Sequence, residues 1–420
     1  MNFILTTFGS AGDVFPMLGL AIQLKQRGHR VTLATNGYFA PLAEKHGIEF
    51  ESLGTPQQYL DCIQDPDLWN PRKAFGYIFG VFQPYLRRQH EWIVEQAALQ
   101  PTTVVASCLC FGARMAQETH GIPVLTLHLQ PSVIWSDIAP PQFANMFGPR
   151  WLKRWMFRLG ERFVIDPVVC PFLNDWRAEY GLPPVRHLVR WWNSPTGVLC
   201  LFPDWFAAPQ ADWPGPLLQT GFPLWNDDSQ FPLPEDVQRF LDAGDPPIVF
   251  TPGTANVHGR EFFQTAVEAC QTLQCRGILL TRHPEQLPPF LPDCVQHFSY
   301  VPLDLLLARS AAFVHHGGIG STSQALLAGI PQLIRPLAHD QFDNAERVKR
   351  LNAGASLAVN AFSAGNLART LQSLLASKTV AAACRQIQSR LHGPSGLVSA
   401  ADAIRDRFCP EAASAVPVKK

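Results

Sequence analysis

The stretch AAFVHHGGIGSTSQALLAG, residues 311–329, decides how this chain is read. An apolar run, 311–314, leads into His315 and His316, then Gly317, Gly318, Ile319 and Gly320, then hydroxyls at Ser321 and Thr322, and a second apolar run ends at Gly329. The pattern predicts a strand, a glycine corner and a helix over 321–328. Glycines at such a corner let the backbone approach an anion closely, and the helix behind it offers unpaired N–H groups and a positive dipole end. Ser321 and Thr322 suit a cap that also donates to phosphate oxygens, and the two histidines add donors. The plain alternative is a tight turn whose histidines bond backbone carbonyls. Two histidines, three glycines and hydroxyls in one corner favour the anion site.

Around this corner lies an alternating series. Strands are expected at 248–251, 277–281, 312–315 and 332–334, and helices at 261–273, 321–328 and 344–351. After the strand at 332–334 comes AHDQFDN, residues 338–344, at the carboxyl edge where open α/β sheets bind ligands. A carboxylate beside a carboxamide suits sugar hydroxyls. Asp343 fits a helix cap by position, which leaves Asp340 and Gln341 as the ligand candidates.

The start of the chain repeats the theme. Residues 2–7 read as a strand, FGSAGD at 8–13 as a loop, 16–27 as a helix ended by Gly28, and 30–34 as a second strand. Further units follow at 103–107, 111–119 and 124–129. Two such series predict an α/β fold with two doubly wound, Rossmann-like domains. The division expected is 1–218, a linker at 219–235 where Pro, Gly, Asp and Asn cluster, 236–394, and a C-terminal helix with a frayed tail at 395–420.

Composition excludes several classes. Lys+Arg and Asp+Glu both number 34, which gives no basic footprint for nucleic acid, and 47% hydrophobic residues rule out a disordered chain. No window reaches about 18 uninterrupted apolar residues, and the N-terminus carries no basic residue before a short apolar stretch, so neither a span nor a signal peptide is expected. Ten cysteines without a Cys-x-x-Cys pair point to reduced thiols in the cytoplasm and give no zinc motif. There is no P-loop, and the first turn is not Gly-x-Gly-x-x-Gly, which disfavours an ATPase or a dinucleotide cofactor.

These residues together resemble a known family. His316 to Gln324 with Asp340-Gln341 is similar to the donor motif of family 1 nucleotide-sugar glycosyltransferases of the GT-B fold, in which two Rossmann-like domains face across a cleft. The loop Gly9-Ser10-Ala11-Gly12-Asp13 resembles the acceptor-side loop of bacterial members. DPDLW at 65–69, CLFPDWFAAPQADWPGPLLQTGFPLW at 200–225 and AHDQFDNAERV at 338–348 resemble the rhamnosyltransferases of rhamnolipid synthesis. The resemblance implies inverting transfer of a hexose from a nucleoside diphosphate to a hydroxyl, without metal or other cofactor. It places His315, His316, Gly317, Gly318, Gly320 and Ser321 at the diphosphate, Asp340 and Gln341 at the sugar, Gly253 and Thr254 at a phosphate, and the Val301 backbone at the base. Gly320 and Gln324 replace an Asn and a ribose-holding Glu of the plant pattern, which admits a deoxyribose donor such as dTDP-L-rhamnose. The hydroxyl acceptor implied is a hydroxyalkanoyl lipid. UDP-glucose with a sterol, carotenoid or polyketide acceptor is the alternative, and a nucleotide-sugar epimerase or a non-catalytic accessory subunit is more distant.

Inversion needs a base for the acceptor proton. Asp13, beside the loop residues Ser10 and Gly12, is that candidate; its position also suits a helix N-cap. Residues 150–164, RWLKRWMFRLGERFV, set Trp151, Leu152, Trp155, Met156, Leu159 and Phe163 near one face and five basic residues mainly on the other. Such a helix either lies on an anionic membrane or packs on its own domain. The apolar residues 77–82 and Trp191-Trp192 either line an acceptor pocket or belong to the core.

Overall fold

The computed structural model describes residues 1–70, 73–144, 146–225, 232–253, 256 and 259–409. The chain divides into two compact units. The first comprises Met1–Pro141, Asn145–Pro223 and Pro394–Lys420, and the second Gln142–Ala144 and Leu224–Gly393. Each is built on one parallel sheet, so both doubly wound domains expected from the alternating series are present.

In the first unit the strands are β1 (Asn2–Thr6), β2 (Arg30–Thr35), β3 (Glu49–Ser52), β4 (Thr102–Ser107), β5 (Val124–His128), β6 (Val198–Cys200) and β7 (Leu217–Gln219). They lie in the order β3-β2-β1-β4-β5-β6-β7. The order reverses beside β1, where Asn2 stands level with both Arg30 and Thr102. β1 and β4 are buried along almost their whole length because helices cover both faces of a parallel sheet. Phe79, Phe82 and Trp192 are buried in the core against this sheet and Trp191 packs on it, so 77–82 and 191–192 are read as core elements.

The second sheet holds β8 (Ile248–Thr251), β9 (Gly277–Leu280), β10 (Val295–Phe298), β11 (Ala312–His315), β12 (Gln332–Ile334) and β13 (Gly354–Ser356). Its order is β10-β9-β8-β11-β12-β13. Here the reversal falls between β8 and β11, which places the loops after those two strands side by side at the carboxyl edge.

Two helix starts differ from the sequence reading. The first helix is Ala11–Gln26 with Pro16 inside it, because Ser10 caps it and Asp13 closes a capping box. The helix after the glycine corner is Ile319–Ala328, two residues longer at its start. The last helix, Gly396–Phe408, returns to the first unit, where Asp402 pairs with Arg27 at 2.9 Å. Residues 226–231 of the expected linker and the tail from 410 lie outside the described residues. All ten cysteines are free thiols.

Candidate active site

The glycine corner sits where the second sheet reverses. Gly317 takes φ +98°, open to glycine at low cost, and Gly318 is the N-cap of Ile319–Ala328 without any side-chain cap. Ser321 and Thr322 therefore do not cap. Thr322 is fully buried and its hydroxyl turns back to the Gly317 carbonyl at 3.4 Å. Thr322 N closes the first helical turn onto the Gly318 carbonyl, so the amides of Gly320 and Ser321 stand in the first turn with no intrahelical carbonyl. Gly320 faces open space, and a Cβ there would meet nothing within 4 Å.

The two histidines part company. His315 is fully buried: it accepts from Gly317 N at Nδ1 and donates through Nε2 to Gln332 Oε1, both at 3.0 Å. With both nitrogens engaged it braces the loop from beneath, and burial with the nearby His316 pulls its pKa down to about 3. The resemblance sets it at the diphosphate; the structure places its side chain beneath the loop, bonded to Gly317 N and Gln332. His316 lies between glycines. A Cβ on Gly253 would fall 2.8 Å from its Cε1, and one on Gly318 2.6 Å from its Nε2. Its Nδ1 is buried without a hydrogen-bond partner. Burial, then His339, lowers its pKa to about 4, so it serves as a neutral polar group. Gly253 has φ +100°, and Thr254 lies outside the described residues. Val301 is buried in the turn after β10.

Asp340 is drawn to the same helix end. Its Oδ2 accepts from Ile319 N at 3.1 Å and from Asn344 Nδ2 at 2.7 Å, and Asn344 Nδ2 also reaches the Gly317 carbonyl at 2.9 Å. Gln341 folds back, its Oε1 accepting from Leu337 N at 2.7 Å and Ala338 N at 3.1 Å. Both sugar candidates thus carry part of the loop's own hydrogen bonding. Asp343 is not the cap expected of it. Asp340 holds the N-cap position of Gln341–Arg350, whereas Asp343 is buried, pairs with Arg347 at 2.6 Å and accepts from Gln142 N at 2.9 Å. Asn344 was missed as a site residue; its place four residues after Asp340, one helical turn on, is the signal that identifies it.

In the first unit the loop after β1 is fixed by Asp13. Its Oδ2 accepts from Ser10 N at 2.8 Å and Ser10 Oγ at 3.2 Å, while Gly12 N donates to Ser10 Oγ at 3.2 Å. Asp13 is thus the third helical residue of a capping box rather than the N-cap. A Cβ on Gly9, at φ +141°, would fall 2.2 Å from Asp13 Oδ2, so the carboxylate occupies the space glycine leaves. Burial raises the Asp13 pKa, with the two Ser10 bonds opposing it. A carboxylate poised above its usual range is a stronger base once ionised. His128, fully buried at the end of β5, has Nε2 2.7 Å from Asn193 Oδ1 and its Nδ1 without a partner.

The basic segment is a helix, Arg150–Gly160, continued by a π-turn over Glu161–Ile165. Phe157 is its buried anchor, against Trp135. Trp151, Trp155 and Phe163 are 66%, 58% and 66% exposed, so the tryptophans do not pack inward. No helix among the described residues is long and apolar enough to cross a membrane.

The two doubly wound parallel-sheet units have the GT-B fold, and together with the family matches and relatives below they make the chain a nucleotide-sugar glycosyltransferase of the GT-B type. The family 28 model and the glycosyltransferase relatives together make the chain a hexosyltransferase. Residues 278–395 match the C-terminal domain of erythromycin biosynthesis protein CIII-like proteins, and residues 3–135 match the glycosyltransferase family 28 N-terminal domain. The chain is 28% identical to the O-mycaminosyltylonolide 6-deoxyallosyltransferase of Streptomyces fradiae, over 84% of this chain and 85% of that one. It is 24% identical to a sterol 3-beta-glucosyltransferase of Arabidopsis thaliana, over 98% and 69%. The fold is similar to that of the kitacinnamycin glycosyltransferase, with TM-score 0.75 and 22% identity over 97% and 99% of the two chains. It is also similar to a spinosyn rhamnosyltransferase complexed with thymidine diphosphate, with TM-score 0.66 and 18% identity over 96% and 99%.

Proposed function

We propose that this enzyme moves L-rhamnose from dTDP-L-rhamnose, with inversion and without a metal or other cofactor, onto the hydroxyl of a hydroxyalkanoyl lipid, giving a rhamnolipid-type glycolipid. The carrying observation is the donor corner. Gly253 and Gly318 leave room for the His316 ring beside a helix end whose first-turn amides stay open to an anion. In this reading the diphosphate takes the amides of Gly320 and Ser321 and the neutral His316, and the base rests on the Val301 backbone. The sugar hydroxyls meet Asp340 and Gln341. Departing charge is spread over fixed dipoles, which stabilise the transition state more than the ground state. Asp13 takes the acceptor proton as the hydroxyl attacks the anomeric carbon.

A 6-deoxyhexose fits the name of the Streptomyces relative, and a thymidine nucleotide fits the ligand of the rhamnosyltransferase neighbour. Tryptophans exposed beside basic residues on Arg150–Gly160 support collection of a lipid acceptor at an anionic membrane, with the enzyme itself cytoplasmic. The sterol glucosyltransferase relative favours one second reading, UDP-glucose with a sterol-like acceptor. Incubation with dTDP-rhamnose, UDP-glucose and UDP-GlcNAc, each with hydroxyalkanoyl lipid or sterol, separates the two by product mass. Release of dTDP only with the lipid present supports the first; glucosylated sterol overturns it. Sedimentation with anionic liposomes tests the membrane contact, and charge reversal at Arg154 and Arg158 is expected to abolish it.

A further inference from the structure

The π-turn over Glu161–Ile165 interrupts what would otherwise run as one helix from Arg150–Gly160 into Asp166–Glu179. Such turns insert a residue and re-aim the side chains around them, often at functional sites. Here the turn brings the Glu161 and Asp166 carboxylates together with the imidazole of His187, which directly precedes the short helix Leu188–Trp191, and one ligand atom from each lies within 4.8 Å of the others.

Glu161 is the group that asks for a partner. It is 5% exposed, and its Oε1 is buried without a hydrogen bond. The nearest cationic candidate is His187 Nδ1, 3.6 Å away and largely exposed to solvent. Asp166 is already oriented, as a ligand's supporting bonds would orient it. Its Oδ1 accepts from Leu188 N at 3.0 Å and from the Cys170 thiol at 3.8 Å.

We propose that Glu161, Asp166 and His187 bind a divalent cation of the zinc class, which fastens the two helices of the π-turn to the segment entering Leu188–Trp191. An imidazole with two carboxylates suits a borderline cation better than the all-oxygen shells of calcium or magnesium. At metal–ligand distances of about 2.1 Å, the separation of 3.6 Å between His187 Nδ1 and Glu161 Oε1 subtends an angle of about 120°, nearer a tetrahedral than an octahedral arrangement. Water completes the shell. The cation's role is structural: it neutralises the buried Glu161 carboxylate beside Asp166 and fixes the π-turn next to the helix that carries Trp151 and Trp155. None of the three ligands belongs to the loops of Asp13 or His316, so transfer chemistry does not pass through it.

The test is calorimetric titration of the metal-stripped full chain with Zn²⁺, alongside thermal melts with and without the ion. One Zn²⁺ per chain and a raised Tm are expected. Glu161→Gln and His187→Ala should each weaken binding by more than the roughly 10–100-fold that loss of a mere supporting contact costs. Glu161→Gln, without metal, should melt no lower than the metal-free parent, since a neutral amide replaces an unsatisfied buried carboxylate; this separates loss of the ion from loss of the fold. With Co²⁺ the absorption should lack a sulfur-to-metal band. Absence of binding, binding by both variants as tight as the parent's, or a thiolate band that moves the ion to cysteines would overturn the proposal.

Discussion

The His316 imidazole occupies the space that a side chain on Gly253 would need, an added Cβ lying 2.8 Å from its Cε1. Two loops from strands on either side of the sheet's reversal are therefore matched, one supplying a ring and the other the absence of one. Gly253→Ala strains a backbone at φ +100° and displaces the ring. The expected result is a dTDP-sugar KM raised by about tenfold or more, equivalent to about 1.4 kcal/mol or more, with a smaller change in acceptor KM. Steady-state kinetics in both substrates reads it.

Asp13→Asn keeps an oxygen for Ser10 N and so preserves the capping box, but removes the proposed base. Turnover should fall by about 100-fold or more while dTDP binding stays within about twofold. Because burial raises the Asp13 pKa, the folded state disfavours its ionised form. The sign follows: folding is penalised once pH exceeds the unfolded value, and the penalty is complete above the folded one. Asn lifts that penalty, so the variant should melt no lower than the parent at neutral pH. Wild-type turnover should fade as pH drops through the raised pKa.

Asp340→Ala leaves Ile319 N without its side-chain acceptor and Asn344 Nδ2 with the Gly317 carbonyl in place of two acceptors. A loss of about 1–3 kcal/mol in denaturant melts is expected, together with weaker donor use. Loss of donor use with unchanged stability would leave the sugar role and remove the structural one.

His315 and His316 titrate at about 3 and about 4, below the ordinary 6.5. Their depressed values make stability complete above pH 6.5 and progressively lost below it, because the unfolded chain takes up protons that the folded one refuses. His90 and His128, also held near 4 by burial, act the same way. Melting temperature should therefore fall between pH 6.5 and about 4, and His128→Gln should flatten the slope.

The strand, glycine corner and helix at 311–329 were legible because each signal is local: apolar run, glycines, hydroxyls. The Asp340–Asn344 link was less so, since a polar pair one helical turn apart faces solvent as readily as a neighbouring loop. Asp343 resembled a cap by position alone, and its partner Gln142 N comes from 201 residues away, a pairing no local pattern carries. β6, β7 and β13 span three residues each, too few to display a period, and unlike the equally short β12 they do not follow directly on a helix-ending glycine of the kind Gly329 supplies. The π-turn shows in no apolar spacing, because the tryptophan face of 150–164 continues through it in sequence while the backbone does not.

The central claim is that the corner of Gly253, His316 and the start of Ile319–Ala328 holds the donor's diphosphate. Calorimetric binding of dTDP to the parent, His316→Ala and Asp13→Asn tests it most directly. The account predicts that the parent and Asp13→Asn bind alike and that His316→Ala binds about tenfold or more weakly, the loss of one hydrogen bond to a charged group. Equal binding by His316→Ala and the parent would contradict it.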